Sequence, residues 1–130
     1  MVTTASVKYG LLAVAYLARH QDKGIVRSQM IVKEYNIPME YLFKIMQQLV
    51  RAHILRSKRG PRGGFSLARP ATKITMLDII EAVEGPMTRP LNMKDNAPRD
   101  KFGTKVEQAY AKVIALTRAE LKKVKVSDLI

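Results

Sequence analysis

The chain of 130 residues contains no cysteine and no tryptophan. Without a thiol it can form no disulfide framework, no thiolate zinc site, no cysteine-ligated iron–sulfur cluster and no cysteine nucleophile. Histidine is nearly as scarce, with only His20 and His53. No acid, base and nucleophile converge around either of them, so the sequence offers nothing from which to build an enzyme active site. Long apolar runs are missing too. The stretch from Leu11 to Ala18 is flanked by Lys8 and Arg19, and it is far shorter than the about 20 residues that a membrane span requires. No basic residue precedes Lys8, which argues against a signal peptide. A soluble, cytoplasmic protein is expected. Its length suits one ordinary domain with room for a helical appendage.

Acidic residues are in short supply, and this is the informative scarcity. There are 23 Lys and Arg against 11 Asp and Glu, a net charge of +12. Residues 1–70 carry 12 basic and 3 acidic side chains, whereas residues 71–130 carry 11 and 8. The excess therefore sits in the N-terminal half. It peaks at Arg51, Arg56, Lys58, Arg59 and Arg62 with no acid among them, and clustering of one sign points to a polyanionic partner.

Helical periodicity marks the first half of the chain. Val7, Leu11, Val14 and Ala18 recur at helical spacing from Ser6 to about His20, with Thr4 or Ser6 as an N-cap and Gly24 closing the segment. Leu12, Ala15 and Leu17 widen the stripe, so this helix is expected to contact neighbours on two sides. A second helix spans Ser28 to Tyr35, with Ile31 and Val32 facing inward and Asn36 as a left-handed stop. A third runs from Pro38 as first helical residue to about Ala52. Two helices joined by so short a turn form a helix-turn-helix.

On the third helix Leu42, Ile45, Met46 and Leu49 share one face, the core side. The opposite face carries Glu40, Lys44, Gln47 and Arg51, flanked by Tyr41, Phe43 and Gln48. Lysine can read guanine, glutamine adenine, and a carboxylate the amino group of cytosine. Any surface helix has a polar face, so the next segment adds the weight. Ile54 to Ser57 and Phe65 to Arg69 alternate apolar and polar like two strands, and between them lies Lys58-Arg59-Gly60-Pro61-Arg62-Gly63-Gly64. This basic hairpin reads as a wing that lays Arg59 or Arg62 on phosphates or into a minor groove. The glycines do not make a nucleotide loop, because the Walker lysine and following helix are missing.

A fourth helix is expected from Thr75 to Val83, opened by a Thr75–Asp78 capping box and stopped by Gly85-Pro86. Asp78, Glu81 and Glu84 give it a solvated acidic surface. Residues 87–103 read as a loop, and a long helix runs from about Lys105 to Lys123 with the apolar stripe Val106, Ala109, Tyr110, Val113, Ile114, Leu116 and Leu121. That helix is read as a dimerisation helix packing on the first. The fold class is mainly α: a winged helix-turn-helix with a two-stranded β wing and a long C-terminal dimerisation helix. The domain reading assigns 1–86 to DNA binding, 87–103 to a loop and 104–130 to the dimerisation helix and tail. Seven methionines are present, and Met30, Met39, Met46 and Met76 are read as gap fillers in a helical core.

Several stretches together resemble the BadM/Rrf-type family of winged helix-turn-helix transcription regulators. They are Lys8-Tyr9, Ile37-Pro38 through Tyr41-Leu42 and Lys44-Ile45, Arg59-Gly60-Pro61 through Gly63-Gly64-Phe65, Leu67-Ala68-Arg69-Pro70, and Ile74-Thr75 through Asp78 to Glu84-Gly85-Pro86. The likeness is strong over residues 3–87 and looser beyond. It implies a homodimeric repressor on a partly palindromic double-stranded DNA site, with base-reading residues at Glu40, Tyr41, Phe43 and Lys44 and a wing arginine at Arg59. Phe43 replaces a polar residue found in some members, so base preference should differ. Cluster-binding members carry three cysteines after the Glu-Gly-Pro motif, and Met87 to Gly103 has none. No iron–sulfur cofactor is therefore expected, and Asp95, Asp100 and His20 are read as non-ligands.

The full set of candidate DNA-binding residues is Glu40, Tyr41, Phe43, Lys44, Gln47, Arg51, Lys58, Arg59 and Arg62. Two other readings compete with the sequence-specific regulator. One is a regulator controlled by a partner protein or small-molecule effector docking beside the acid-bearing fourth helix. The other is a non-specific nucleoid or RNA-binding protein, whose specificity ratio would be near one.

Overall fold

Eleven large side chains, among them Val14, Ile31, Leu42, Ile45, Met46, Leu49, Ile54 and Ile79, are all but sealed from solvent. Their spacing in the chain dictates the helices that carry them. The computed structural model describes residues 5–130. In chain order it comprises α1 (Ala5–Arg19), α2 (Ser28–Tyr35), α3 (Met39–Arg51), β1 (Leu55–Lys58), β2 (Gly64–Leu67), α4 (Met76–Glu84), α5 (Lys101–Lys123) and α6 (Val126–Leu129). Short 3-10 turns lie at Gln21–Lys23, Ala71–Lys73 and Met93–Asp95. No helix among the described residues is long and apolar enough to cross a membrane.

The broad apolar face of α1 packs on α3 and α4 together. Gly10 sits where the three meet: a Cβ there would lie 3.4 Å from both Ile79 Cγ2 and Val83 Cγ1 and 3.8 Å from Ile45 Cγ2. Ser6 does not cap this helix. It lies inside it, and Thr4 falls outside the described residues. Asn36 takes the left-handed conformation (φ 52°) that ends α2. Pro38 occupies the N-cap of α3 at ψ 128° rather than the first helical position, because its extended ψ is what turns the chain into the helix. Its carbonyl accepts the Leu42 N–H at 3.0 Å. His53, at φ 60°, closes α3 and leads into the wing.

β1 and β2 form an antiparallel hairpin in the register Leu55↔Leu67 to Lys58↔Gly64. Each strand is displaced from its expected span, since pairing between Lys58 and Gly64 shortens the tip to residues 59–63. α4 opens on the expected capping box: the Asp78 N–H donates to Thr75 Oγ1 and the Thr75 N–H to Asp78 Oδ2, both at 3.0 Å.

Four expectations are corrected here. The loop after α4 contains the turn at Met93–Asp95 and ends sooner than expected, because Asp100 caps α5 by accepting the Phe102 N–H at 2.9 Å. Gly103, read as the end of that loop, is buried within the first turn of α5, where a Cβ would lie in ordinary contact with Met93 and Ala97 at 3.4 to 4.0 Å. Within one chain α5 packs on α4 and the 93–95 turn, and it is α6 that reaches α1. The acids of α4 are not a solvated face: Asp78 pairs with Arg69 at 3.4 Å, and Glu81 pairs with Arg118 of α5 at 3.1 Å while accepting the Met87 N–H at 2.8 Å. Finally, Met46 is fully buried but Met30 and Met39 are 47% and 37% exposed, because Met30 lies about 100° around α2 from buried Ile31 and Met39 is the end residue of α3.

The Glu81 carboxyl feels opposing influences. Burial pushes it up, but the Arg118 hydrogen bond, the Met87 N–H and the Arg118 charge outweigh this and hold it below the ordinary carboxylate range. A depressed folded-state pKa stabilises the fold above the ordinary carboxylate pKa, and that contribution is lost as pH falls through the depressed value. Glu81→Gln should therefore lower the urea midpoint at pH 7. The difference from wild type should shrink on acidification, as read by denaturation series at several pH values.

Candidate nucleic-acid interface

Burial of Leu42, Ile45, Met46 and Leu49 fixes the rotation of α3 about its axis. The other face is thereby turned outward, with Glu40, Phe43, Lys44 and Arg51 exposed and Gln47 partly so. Phe43 is 53% exposed, an apolar side chain held at the surface among polar ones. Tyr41 is turned differently. Its ring meets Tyr9 edge-on at 5.3 Å and its hydroxyl lies 2.8 Å from Ser6 Oγ, so it ties the start of α3 to α1.

The wing stands beside this face. Lys58, Arg59 and Arg62 are exposed at or near its tip and Arg56 along β1. Its root is held by a backbone bridge in which the Val26 N–H donates to the Phe65 carbonyl and the Phe65 N–H to the Val26 carbonyl, each at 2.8 Å. Gly64 permits that approach, since a Cβ there would stand 2.4 Å from the Val26 carbonyl oxygen. Gly63 is equally tight, with a Cβ 2.1 Å from the Lys58 carbonyl oxygen. At the tip, the Arg27 guanidinium donates to the Pro61 carbonyl.

Between the wing and the helix-turn-helix runs an open groove of about 590 Å³. Phe43 and Gln47 line it from α3, Ser28 and Gln29 from the first turn of α2, and Lys58 and Arg59 from the wing. Thus four of the candidate residues are brought together, Glu40 and Lys44 continue the outer face of α3, and Arg51 and Arg62 are exposed outside the groove lining. Among the described residues no ion pair engages Lys44, Arg51, Lys58, Arg59 or Arg62. Unpaired cations around a concave surface, next to the free backbone N–H groups of a helix start, suit phosphate oxygens. Sequence reasoning missed Arg27, Ser28 and Gln29. The helix start at Ser28 was a usable signal, but nothing in the linear order shows that the wing folds back over it.

The possible metal ligands are dispersed. His20 stacks on Tyr16 at 4.1 Å and its Nδ1–H donates to the Tyr16 carbonyl at 2.7 Å, while Asp100 caps α5. Among the described residues no three His, Asp or Glu side chains group closely enough to hold a metal ion.

The close approach at Gly64 yields a test. Gly64→Ala should push β2 off Val26, and the Val26 and Phe65 amides should exchange with solvent about tenfold faster or more, as measured by hydrogen exchange. Core amides of α1 and α3 should keep their protection.

Comparison with known proteins agrees with this geometry. The family model described as "Rrf2: Iron-dependent Transcriptional regulator" matches residues 3–130. A protein of Aquifex aeolicus assigned as an HTH-type transcriptional regulator is 44% identical over 81 residues, 62% of this chain and 56% of that protein. The HTH-type transcriptional regulator IscR of Cereibacter sphaeroides is 38% identical over 79 residues, 59% of this chain and 51% of the relative. The chain thus spans about half the length of the curated relatives it matches. Among solved structures, CymR, the global cysteine regulator of B. subtilis, superposes with a TM-score of 0.80 at 26% identity, covering 99% of this chain and 95% of that one. The iron in the family description has no matching donor set here, because the chain has no cysteine and the segment joining α4 to α5 has no histidine. With a family model matched along nearly the whole chain, a winged-helix neighbour superposed from end to end and a basic groove between wing and third helix, the chain belongs to the Rrf2 family of DNA-binding transcriptional regulators.

Proposed function

We propose that the chain is a cytoplasmic, sequence-specific repressor that binds an inverted-repeat operator as a homodimer and works without an iron–sulfur cluster. The observation that carries this reading is the groove in which the outward face of α3 and the unpaired cations of the wing meet. Lys44 and Gln47 offer donors to purine edges, Glu40 an acceptor for the cytosine amino group, and Phe43 an apolar contact for a thymine methyl. Arg51, Lys58, Arg59 and Arg62 carry the charge that phosphates neutralise.

The dimer reading rests on α5. Phe102, Val113 and Leu116 are 65%, 58% and 60% exposed on a stripe apart from the face that meets α4. A second copy of the same helix would cover this stripe, and a two-fold dimer would set the half-site centres about 10 bp apart or a multiple of that. The carboxylates Asp78 and Glu81, which suggested a partner docking on α4, are engaged within the chain, so the partner-controlled reading loses its motivating feature.

The operator is obtained by retaining sheared genomic DNA on the protein at about 150 mM salt, where purely ionic binding is suppressed. On the recovered site, Lys44→Ala should cost about 1–3 kcal/mol while binding to unrelated DNA hardly changes. Arg59→Ala should weaken both and reduce the salt slope by about one unit. Equal losses on both DNAs for Lys44→Ala, or retention of DNA in proportion to its abundance, would overturn sequence-specific readout. A Val113→Lys, Leu116→Lys double variant should sediment as a monomer and lose affinity for the paired half-sites. Wild-type protein that sediments as a monomer would remove the homodimer.

A further inference from the structure

We propose that Met39, together with Met30 of the same helix-turn-helix, is an oxidant-sensitive modification site whose conversion to the sulfoxide lowers DNA affinity. The inference rests on the DNA-binding reading above and adds a chemical input to it. With no cysteine in the chain, every oxidisable sulfur is a thioether. Their exposure is uneven. Met46 is fully buried, Met76, Met87 and Met93 are half-buried, and Met30 and Met39 are 47% and 37% exposed. Among the described methionines, a soluble oxidant meets these two first.

Their placement gives the reaction a consequence. Met39 is the first residue of α3, and its Sδ accepts a hydrogen bond from the Ser28 hydroxyl at 3.8 Å. Ser28 is the first residue of α2 and lines the groove between α3 and the wing. One thioether therefore ties together the starts of the two helices whose mutual position sets the groove. Sulfur is a weak acceptor.

The oxidant is a hydroperoxide or hypohalous acid. A sulfur lone pair attacks the electrophilic oxygen of hydrogen peroxide, an S–O bond forms as the O–O bond breaks, and the sulfur gives up two electrons. The departing hydroxide takes the proton left by the transferred oxygen, so the products are one sulfoxide and one water. The flexible apolar side chain becomes polar and chiral, and its acceptor is now an oxygen displaced from the sulfur. Ser28 must follow that oxygen or lose its partner. Either movement shifts a groove-lining residue, and sulfoxide reductases can restore the starting state.

The test uses the full chain treated with limiting hydrogen peroxide or hypochlorous acid. Peptide mass spectrometry maps the sulfoxides in order of appearance, and fluorescence anisotropy reads affinity for the recovered operator fragment. Met30 and Met39 should be modified before Met46, and affinity should fall about tenfold or more as Met39 is consumed, recovering on treatment with methionine sulfoxide reductases. The Met30→Leu, Met39→Leu variant conserves volume but also deprives Ser28 of its sulfur acceptor, so it should start below wild-type affinity and should lose no more of that affinity through the same oxidant dose. Oxidation of Met46, Met76, Met87 or Met93 first, full affinity with Met39 oxidised, or equal sensitivity of the double variant would each overturn the proposal. Failure of untreated protein to bind any DNA would instead overturn the functional reading, while the order of sulfoxide formation would still decide the modification site.

Discussion

Everything in this molecule hinges on α3 being held by one face so that the other is turned outward. Leu42, Ile45, Met46 and Leu49 are locked into the core, so rotation of the helix is not free, and a rotation of one residue, about 100°, would carry Phe43 and Gln47 away from the groove. Burial of four large apolar side chains is worth several kcal/mol. That energy aims the polar face. Tyr41 adds a lateral tie to α1 through Tyr9 and Ser6, and the Pro38 carbonyl secures the first turn.

The wing depends on the same body through backbone rather than side chains. Two strands alone are marginal in water. Here the hairpin gains a third partner at Val26, through a pair of hydrogen bonds that only a glycine at position 64 allows. Arg27, next to Val26, then grips the tip through the Pro61 carbonyl. The segment between α1 and α2 thus does two jobs: it turns the chain into the helix-turn-helix and it docks the wing. The cations carried on the wing are consequently placed against α3 at a set distance instead of sweeping through solvent.

The second half of the chain works by a different balance. α4 is joined to the body by apolar packing against α1, and to α5 by the Glu81–Arg118 pair. The carboxylate also holds the third residue of the connecting segment through the Met87 N–H. In family members with cysteines this segment is where a cluster would be held. In this chain the contacts around it are the Met93 N–H on the Glu107 carboxylate, a buried glycine at the start of α5 and the bidentate Glu81–Arg118 pair. The exposed stripe of α5 is left over once these contacts are satisfied, which is why the dimer reading attaches to that helix.

Much of this was legible in linear order. Helical and alternating periodicity found every helix from α1 to α5 and both strands, and glycine and proline marked the wing tip and the end of α4. The Thr75–Asp78 capping box was readable because its two partners lie three residues apart. The charge asymmetry pointed to a polyanionic partner. What failed were features whose cause lies far away in sequence. Gly103 reads as the end of a loop until the 93–97 turn is packed against it, Asp78 and Glu81 read as solvated until Arg69 and Arg118 arrive, and Met30 and Met39 read as core until the stripes of α2 and α3 are oriented. Local periodicity and short-range hydrogen bonding determine which elements form. Which leftover side chains meet, and which face solvent, is decided only when distant segments close on one another, as Val26 does on Phe65 and Ser28 on Met39.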